Sequence, residues 1–291
     1  MRNALITGAT GFIGNWLTNL LLDNHIKVFL VVRNVNKLSN KIKAHPNAVI
    51  LNYDLSGISD LRDIITEDID VFYHLAWEGA SGIKRSDYNI QLSNIKNSME
   101  CIFLAEKLNV QKFITVGTIG ENLADLSIQN KVVSENYIYA ISKSYLQRLL
   151  RITTSKMNLK LIWCTLSGIY GEGDHTNNLI NYTVKSLLMG EEPEYGPGTQ
   201  LFDFLHVEDC VRALFLIGCR NNTYDNYYIG SGSPHMLKEY LLCIKDMFGN
   251  KAAIRLGAKD DDGTRYLREW FDTTNLEDDY KFIVSNHSLD L

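Results

Sequence analysis

Residues 4–14 read Ala4-Leu5-Ile6-Thr7-Gly8-Ala9-Thr10-Gly11-Phe12-Ile13-Gly14. The apolar run predicts a buried strand, and the glycines that follow it predict a turn that grips a dinucleotide. In this interpretation Gly8 lets the chain turn out of the strand, and Gly11 lets the backbone approach a pyrophosphate. Gly14 would let the next helix pack closely on the sheet. That helix, predicted from Phe12 to about Asp23, would direct its free N–H groups towards the phosphates.

The glycine spacing is G-x-x-G-x-x-G, and an ordinary turn from strand to helix is the alternative interpretation. The flanking sequence favours phosphate binding, because a second strand is predicted at Lys27 to Val32. This strand is followed by Arg33, where enzymes that use NAD usually carry an acid for the ribose hydroxyls. Arg33, with Lys37 nearby, could instead pair with a 2′-phosphate, unless it only faces solvent. We therefore expect NADP(H) in preference to NAD(H).

Strand and helix patterns alternate up to about residue 165, which is typical of a doubly wound parallel sheet, the Rossmann arrangement. Helices are predicted near 12–23, 58–66, 87–108 and 135–155. The predicted strands are Ala4–Thr7, Val28–Val32, Val49–Asn52, Val71–His74, Lys112–Val116 and Lys160–Thr165.

Glycine and charged residues become denser after Gly168. We expect a dinucleotide-binding domain over 1–166, joined again by about 205–230, and a smaller, irregular α/β substrate lobe over 167–291. The crevice between the two is the expected site.

The composition excludes several classes of function. A net charge of -5 without a basic run argues against a nucleic-acid partner, and no apolar run approaches the ~20 residues of a membrane span. The five scattered cysteines show no metal-binding spacing, so no metal is expected. Free thiols and an N-terminus that enters a strand at once predict a cytoplasmic protein without a signal peptide.

A tyrosine and a lysine stand four residues apart in Tyr139-Ala140-Ile141-Ser142-Lys143, so they share one face of a helix. An ammonium near a phenol lowers its pKa, which would let Tyr139 transfer a proton to or from a substrate oxygen. Thr118, just past the fifth strand, could hold that oxygen. A packed tyrosine beside a surface lysine is the alternative, but the glycine turn favours catalysis.

These motifs resemble those of the extended short-chain dehydrogenases/reductases, in the branch that modifies sugar nucleotides. The resemblance covers nearly the whole chain and implies a catalytic group of Thr118, Tyr139 and Lys143. It also implies cofactor contacts from the residues of the glycine turn and from positions further along the chain. These cofactor residues are Thr7, Gly8, Gly11, Phe12, Ile13, Gly14, Arg33, Asp54, Leu55, Leu75, Ala76, Asn94, Tyr139 and Lys143.

Substrate contacts are expected from the loops at the carboxyl ends of the strands. The candidates are Trp77, Ser81, Thr118, His175, Asn178, Leu179 and Phe202. Phe202 replaces an arginine that usually precedes the family's Asp-Phe pair, so that phosphate contact is either missing or supplied by Arg265 or Arg268. The family also implies a homodimer formed by the helices 87–108 and 135–155, with apolar surface from Cys101, Ile102, Leu104, Ala105, Leu146, Leu149 and Leu150.

The residues after Thr118 narrow the reaction. A 4,6-dehydratase of this family needs an acid and a base there, whereas this chain has Ile119-Gly120, with Glu121 as a substitute one step further on. An epimerising reductase needs a cysteine and a histidine, and only His175 is present. We therefore predict NADPH-dependent reduction of a nucleotide-linked 4-keto-6-deoxy sugar for cell-surface polysaccharide. The main alternative is an NAD-dependent nucleotide-sugar 4-epimerase, and a dehydratase and a non-catalytic NADP-binding sensor are less favoured.

Overall fold

The computed structural model describes residues 1–130, 137–249, 253–261 and 263–285. Its centre is a seven-stranded parallel sheet with the order β10-β6-β5-β4-β1-β2-β3. The strands are β1 (Asn3–Thr7), β2 (Lys27–Val32), β3 (Ala48–Asn52), β4 (Val71–His74), β5 (Lys112–Thr118), β6 (Lys160–Leu166) and β10 (Asn226–Ile229). The predicted Rossmann sheet is confirmed, and most strand ends agree within two residues.

Helices cover both faces of this sheet. They are α1 (Phe12–Asp23), α2 (Asn40–Lys43), α3 (Tyr88–Lys107), α4 (Gly120–Asn130), α5 (Tyr137–Thr154), α6 (Leu179–Leu188), α7 (Val207–Cys219), α8 (Leu237–Met247) and α9 (Thr274–Tyr280). Side chains of α1, α7 and α9 form the apolar core on one face, and side chains of α3 and α5 form it on the other. No helix in the described ranges is long and apolar enough to span a bilayer.

Residues beyond β6 add short elements that lie beside the carboxyl ends of the large sheet. Parallel strands β7 (Gly168–Tyr170) and β9 (Phe204–His206) form one small sheet, and antiparallel strands β8 (Leu201–Phe202) and β11 (His235–Met236) form another. Helices α6 and α8 pack against each other through Ile180, Leu187 and Ile244. This region supplies the outer wall of the candidate site.

The helical stretch predicted near 58–66 begins about three residues earlier in the structure, as 3-10 helix over Leu55–Asp63 that is interrupted at Gly57 and capped by the side chain of Asp54. The predicted helix at 135–155 is described from Tyr137, and its first two residues lie outside the described ranges. The apolar residues assigned to a dimer surface are core residues instead. Exposure is 1% or less for Cys101, Ile102, Leu104, Ala105, Leu146 and Leu150, and Leu149 packs against the same core.

Candidate active site

The glycine turn between β1 and α1 is closed by backbone contacts that leave no room for side chains. Gly8 has a φ of +83°, and a Cβ on it would lie 2.7 Å from the backbone nitrogen of Ala76. A Cβ on Gly14 would lie 2.1 Å from the carbonyl oxygen of Gly8. Helix α1 starts after Gly11 without a side-chain cap, so its first N–H groups are available to a ligand. The turn therefore fits a dinucleotide pyrophosphate, as the sequence predicts.

A cavity of about 350 Å³ lies beside this turn, where the adenosine half of a dinucleotide would bind. Its walls include Arg33, Lys37, Asp54, Leu55, Leu75, Ala76 and Asn94. Arg33 lies between two acids, with Nη1 3.4 Å from Oε2 of Glu78 and Nε 4.0 Å from Oδ2 of Asp54. The carboxylate of Asp54 accepts hydrogen bonds from Ser56, which lower its pKa. A cation and two anions thus meet at the predicted ribose position.

The side chains of two predicted cofactor residues, Asn94 and Thr7, form hydrogen bonds within the protein in this structure. The side-chain amide of Asn94 donates to the carbonyl of Glu78 at 2.7 Å and accepts from its N–H at 3.0 Å, which fixes the loop after β4. The hydroxyl of Thr7 is fully buried and lies 2.8 Å from Nδ1 of His74. Asn94 still lines the adenosine cavity, whereas the Thr7 side chain is used inside the sheet.

A second cavity, of about 600 Å³, contains the predicted catalytic group. Thr118, Tyr139 and Lys143 all line it, together with Gly8, Gly11, Phe12, Ile13, Gly14, Trp77 and Ser81. Burial raises the pKa of Tyr139 to about 12. Burial also lowers the pKa of the Lys143 ammonium, an effect that the carboxylate of Glu121 opposes. The structure therefore brings the three residues to one cavity, adjacent to the glycine turn.

Lys143 is held inside the protein by two contacts. Its Nζ donates to the carbonyl of Val116 at 2.8 Å and lies 3.8 Å from the ring centroid of Trp77. The Trp77 ring meets the edge of Tyr139 with 6.0 Å between centroids, and its Nε1 donates to Gln91. Trp77 therefore contacts both Lys143 and Tyr139, and it lines both this cavity and the adenosine cavity.

Sequence reasoning missed Arg85, the cation that contacts the catalytic tyrosine directly. Its Cζ lies 4.8 Å from the ring centroid of Tyr139, and it lines both the catalytic cavity and its neighbour. The Nε of Arg85 is buried and has no hydrogen-bond partner among the described residues. A single arginine in a loop shows no periodicity or motif spacing, so the sequence contained no signal for it.

Glu121 is buried, and its carboxylate is directed to the backbone next to it. Oε1 accepts a hydrogen bond from the N–H of Thr118 at 2.7 Å. Burial raises the pKa of this carboxyl. Glu121 is not among the residues that line the catalytic cavity, so it does not occupy the place of a dehydratase acid.

A third cavity, again about 600 Å³, continues from Thr118 towards the C-terminal elements. The predicted residues Asn178, Leu179 and Phe202 line it. Further lining residues, which the sequence did not suggest, are Arg85, Tyr182, Lys259, Tyr266 and Phe271. The aromatic rings could stack on a base, and Lys259 could pair with phosphates.

Three predicted substrate contacts are not found in these walls. His175 is exposed, while Asp174 and Thr176 on either side of it line the catalytic cavity. Arg265 pairs with Asp261, and Arg268 is exposed. Neither arginine lines the third cavity, and the described cation there besides Arg85 is Lys259. No group of acids, cysteines or histidines within the described ranges could hold a metal ion.

Comparisons with known proteins agree with this geometry. The model of the NAD dependent epimerase/dehydratase family matches residues 4–230. A CDP-abequose synthase from Yersinia pseudotuberculosis is 23% identical over 86% of this chain and 86% of its own. A dTDP-glucose 4,6-dehydratase from Haemophilus influenzae is 28% identical over 79% of this chain and 75% of its own. The solved structure of MoeE5 in complex with UDP-glucuronic acid and NAD superimposes with a TM-score of 0.79 at 21% identity, covering 99% of this chain and 95% of that one.

Proposed function

Because the chain belongs to the NAD dependent epimerase/dehydratase family, in which its relatives modify nucleotide sugars, we propose that it is a ketoreductase. In this proposal it reduces the 4-keto group of a nucleotide-linked 4-keto-6-deoxy sugar, using NADPH. The product would be a deoxysugar for cell-surface polysaccharide. The likeness to a CDP-abequose synthase supports a nucleotide-linked sugar as the substrate.

The observation that carries the proposal is that, among the residues that the structure describes, the catalytic cavity offers Tyr139 as a proton donor and no free carboxylate beside it. Glu121 is directed to the backbone of Thr118. Asp174 accepts bonds from Thr176 and Asn178, and Asp203 from Tyr228, Ser231 and Gly232. The carboxylates described in the two cavity walls are thus engaged within the protein. Reduction of a ketone needs only one proton donor, whereas dehydration needs an acid and a base.

The residues of the cavity have separate roles in this reaction. The bound dihydronicotinamide would supply the hydride. Tyr139 gives its proton to the substrate oxygen, and the hydroxyl of Thr118 holds that oxygen in place. Lys143 lies on the same face of α5, where its ammonium reaches the floor of the cofactor cavity beside Val116 and Trp77.

The C-terminal elements would bind the nucleotide part of the substrate. We propose a division into a cofactor domain, 1–166 with about 205–230, and a substrate lobe over 167–291. Phe202 and Tyr266 meet edge to face with 5.5 Å between centroids, which gives the third cavity an aromatic wall. Lys259 lines the same cavity, where a diphosphate would meet its charge.

A second candidate function is an NAD-dependent 4-epimerase. It is favoured by the two carboxylates that flank Arg33, because acids at this position accept hydrogen bonds from the free ribose hydroxyls of NAD. A tightly bound NAD that is recycled during turnover would be expected in that case.

The test is oxidation of NADPH with a panel of enzymatically prepared 4-keto-6-deoxy sugar nucleotides, carrying dTDP, CDP, UDP or GDP. Turnover with one member, lost by about 10²-fold or more in Tyr139→Phe, supports the reductase. Tyr224→Phe is the control, since the hydroxyl of Tyr224 donates to Asp278 and the residue lines neither the catalytic cavity nor its neighbour. Redox-neutral interconversion of sugars by protein that retains NAD would instead establish the epimerase.

We also propose that the protein is a cytoplasmic homodimer. Helices α3 and α5 pack side by side, and each exposes large apolar side chains. These are Tyr88, Leu92 and Phe103 on α3, and Ile141, Tyr145 and Ile152 on α5. Positions 141, 145 and 152 fall on one face of a helix, so a second copy could cover them. The described cysteines are all free thiols, which suits a reducing compartment.

A further inference from the structure

The charges around the catalytic tyrosine are arranged differently from what a Tyr-x-x-x-Lys motif suggests. Two charged groups act on the phenol of Tyr139. Arg85 comes from the short 3-10 helix Gly82–Ser86 after β4, and Glu121 comes from the start of α4. The positive charge of Arg85 lowers the pKa of the phenol, whereas the charge of Glu121 raises it.

The described contacts of Lys143 are with groups other than the phenol. Its Nζ donates to the carbonyl of Val116 and lies over the face of Trp77, and its charge interacts with Glu121. Burial lowers the pKa of the ammonium, and the carboxylate of Glu121 opposes this effect.

Arg85, in contrast, is permanently charged and contacts the ring of Tyr139 itself. A guanidinium stays protonated at every pH at which the protein is folded. It lies over the Tyr139 ring at 4.8 Å, and its buried Nε has no hydrogen-bond partner among the described residues. No salt bridge to a described residue accounts for the position of Arg85, whereas its neighbour Lys84 pairs with Glu78 at 3.0 Å. The contact of Arg85 with the ring of Tyr139 is therefore its main described interaction.

We propose that Arg85 is a positioning residue for Tyr139, and that its guanidinium on the ring stabilises the tyrosinate that forms during the reaction. This inference rests on the proposed reduction. In that step the Oη–H bond of Tyr139 breaks and an O–H bond forms on the substrate oxygen. The electron pair stays on the phenolate, the hydride comes from the dihydronicotinamide, and solvent returns the proton to Tyr139. Arg85 lowers the energy of the phenolate, because its charge is already in place.

The test is a direct titration of the phenol, which does not depend on turnover. 3,5-Difluorotyrosine, which is intrinsically more acidic than tyrosine, is incorporated at position 139, so that ionisation occurs where the protein is folded. Its ¹⁹F resonance is followed against pH in the parent and in Arg85→Gln, Arg85→Lys and Lys84→Gln. Lys84→Gln is the matched control, because it removes an adjacent exposed charge.

We expect Arg85→Gln to raise the midpoint by about one pH unit. In Arg85→Lys the positive charge is kept, so the midpoint should stay close to that of the parent. Lys84→Gln should leave the midpoint unaltered. An unchanged midpoint in Arg85→Gln overturns the inference, as does a change in Arg85→Lys as large as that in Arg85→Gln, since the loop rather than the charge would then be responsible. A shifted midpoint in a protein that reduces no keto sugar would support the stabilisation of the Tyr139 phenolate by Arg85 and refute the proposed reductase.

Discussion

The carboxylate of Glu121 accepts the backbone N–H of Thr118, with 2.7 Å between Oε1 and the nitrogen. This bond fixes the end of β5, where the Thr118 hydroxyl enters the catalytic cavity. In Glu121→Ala the N–H loses its acceptor, and we expect a loss of about 1–3 kcal/mol in the free energy of unfolding together with slower turnover. Glu121→Gln keeps an acceptor oxygen and should retain most of both. Chemical denaturation and NADPH oxidation measure these effects, and equal losses of turnover in both variants would show that the charge itself is required.

Because Gly14 lies against the backbone of Gly8, adding one methyl group at Gly14 should lower both stability and dinucleotide binding. A Cβ at Gly14 would lie 2.1 Å from the Gly8 carbonyl oxygen, so Gly14→Ala must displace the start of α1. We expect a loss of about 1–3 kcal/mol in stability and weaker binding of the dinucleotide, measured by calorimetry. Gly57→Ala is the control, because the nearest atom to its Cβ would be 4.0 Å away. Unaltered binding in Gly14→Ala would contradict the assignment of the turn.

Arg33 lies between Asp54 and Glu78, and its position predicts how the cofactor preference can be changed. Arg33→Ala removes the charge that would pair with a 2′-phosphate, so the KM for NADPH should rise by roughly tenfold or more while that for NADH changes little. Glu78→Gln should have the opposite effect, because it removes one acid that competes for Arg33. Steady-state kinetics with both cofactors measure this, and parallel changes for NADH and NADPH would exclude Arg33 as the discriminating residue.

His74 should make stability depend on pH. It is enclosed between Thr7 and Ser98, and burial lowers its pKa to about 3 from an ordinary 6.5, with a smaller contribution from the charge of Lys143. The unfolded chain therefore binds an extra proton below pH 6.5. The contribution of His74 to the free energy of unfolding is fully present above that pH. It is lost as the pH drops towards 3, by up to about 1.4 kcal/mol per pH unit.

Urea denaturation at a series of pH values checks this prediction. In His74→Gln the slope between pH 6.5 and 4 should be smaller than in the parent, whatever the loss of stability at neutral pH. His175→Gln is the control, since His175 is exposed. An identical slope in the parent and in His74→Gln would show that His74 is not the group responsible.

The exposed apolar face of α5 predicts the effect of a charge on association. Ile152 is 74% exposed, and an arginine there would place a charge in the proposed dimer contact. We expect Ile152→Arg to sediment as a monomer with unchanged secondary structure, whereas Leu188→Arg on α6, equally exposed at 73%, should sediment like the parent. A parent protein that is itself monomeric at micromolar concentration would refute the dimer.

Local patterns in the sequence predicted the sheet because most of its strands are short runs rich in apolar residues. The same patterns did not show which side of a helix is buried. Cys101 and Leu146 looked like interface residues, but both faces of α3 and α5 carry apolar residues, and only packing decides between them. The start of α6 could have been predicted, since Asn178 caps it through the N–H of Asn181.

The residues of the candidate site fall into two groups, those that the sequence could predict and those that it could not. Residues in motifs, such as Thr118 and Tyr139, could be placed from the sequence, because their positions follow the strand order of the sheet. Arg85 and Lys259 could not be placed, since each comes from an irregular loop that the tertiary structure carries to the cavity. The sequence also did not predict the structural role of Asn94, whose side-chain amide forms two hydrogen bonds with the backbone of Glu78.

The outermost strand of the sheet, β10, pairs with β6 although some sixty residues of chain separate them. During synthesis, β6 therefore leaves the ribosome before its partner strand. One edge of β6 stays unpaired until Asn226–Ile229 have been made. An open parallel edge can pair with other chains, and closing so long a loop is slow. We expect the nascent protein to be most prone to aggregation until Asn226–Ile229 have been made, so a chaperone would be most useful in that interval.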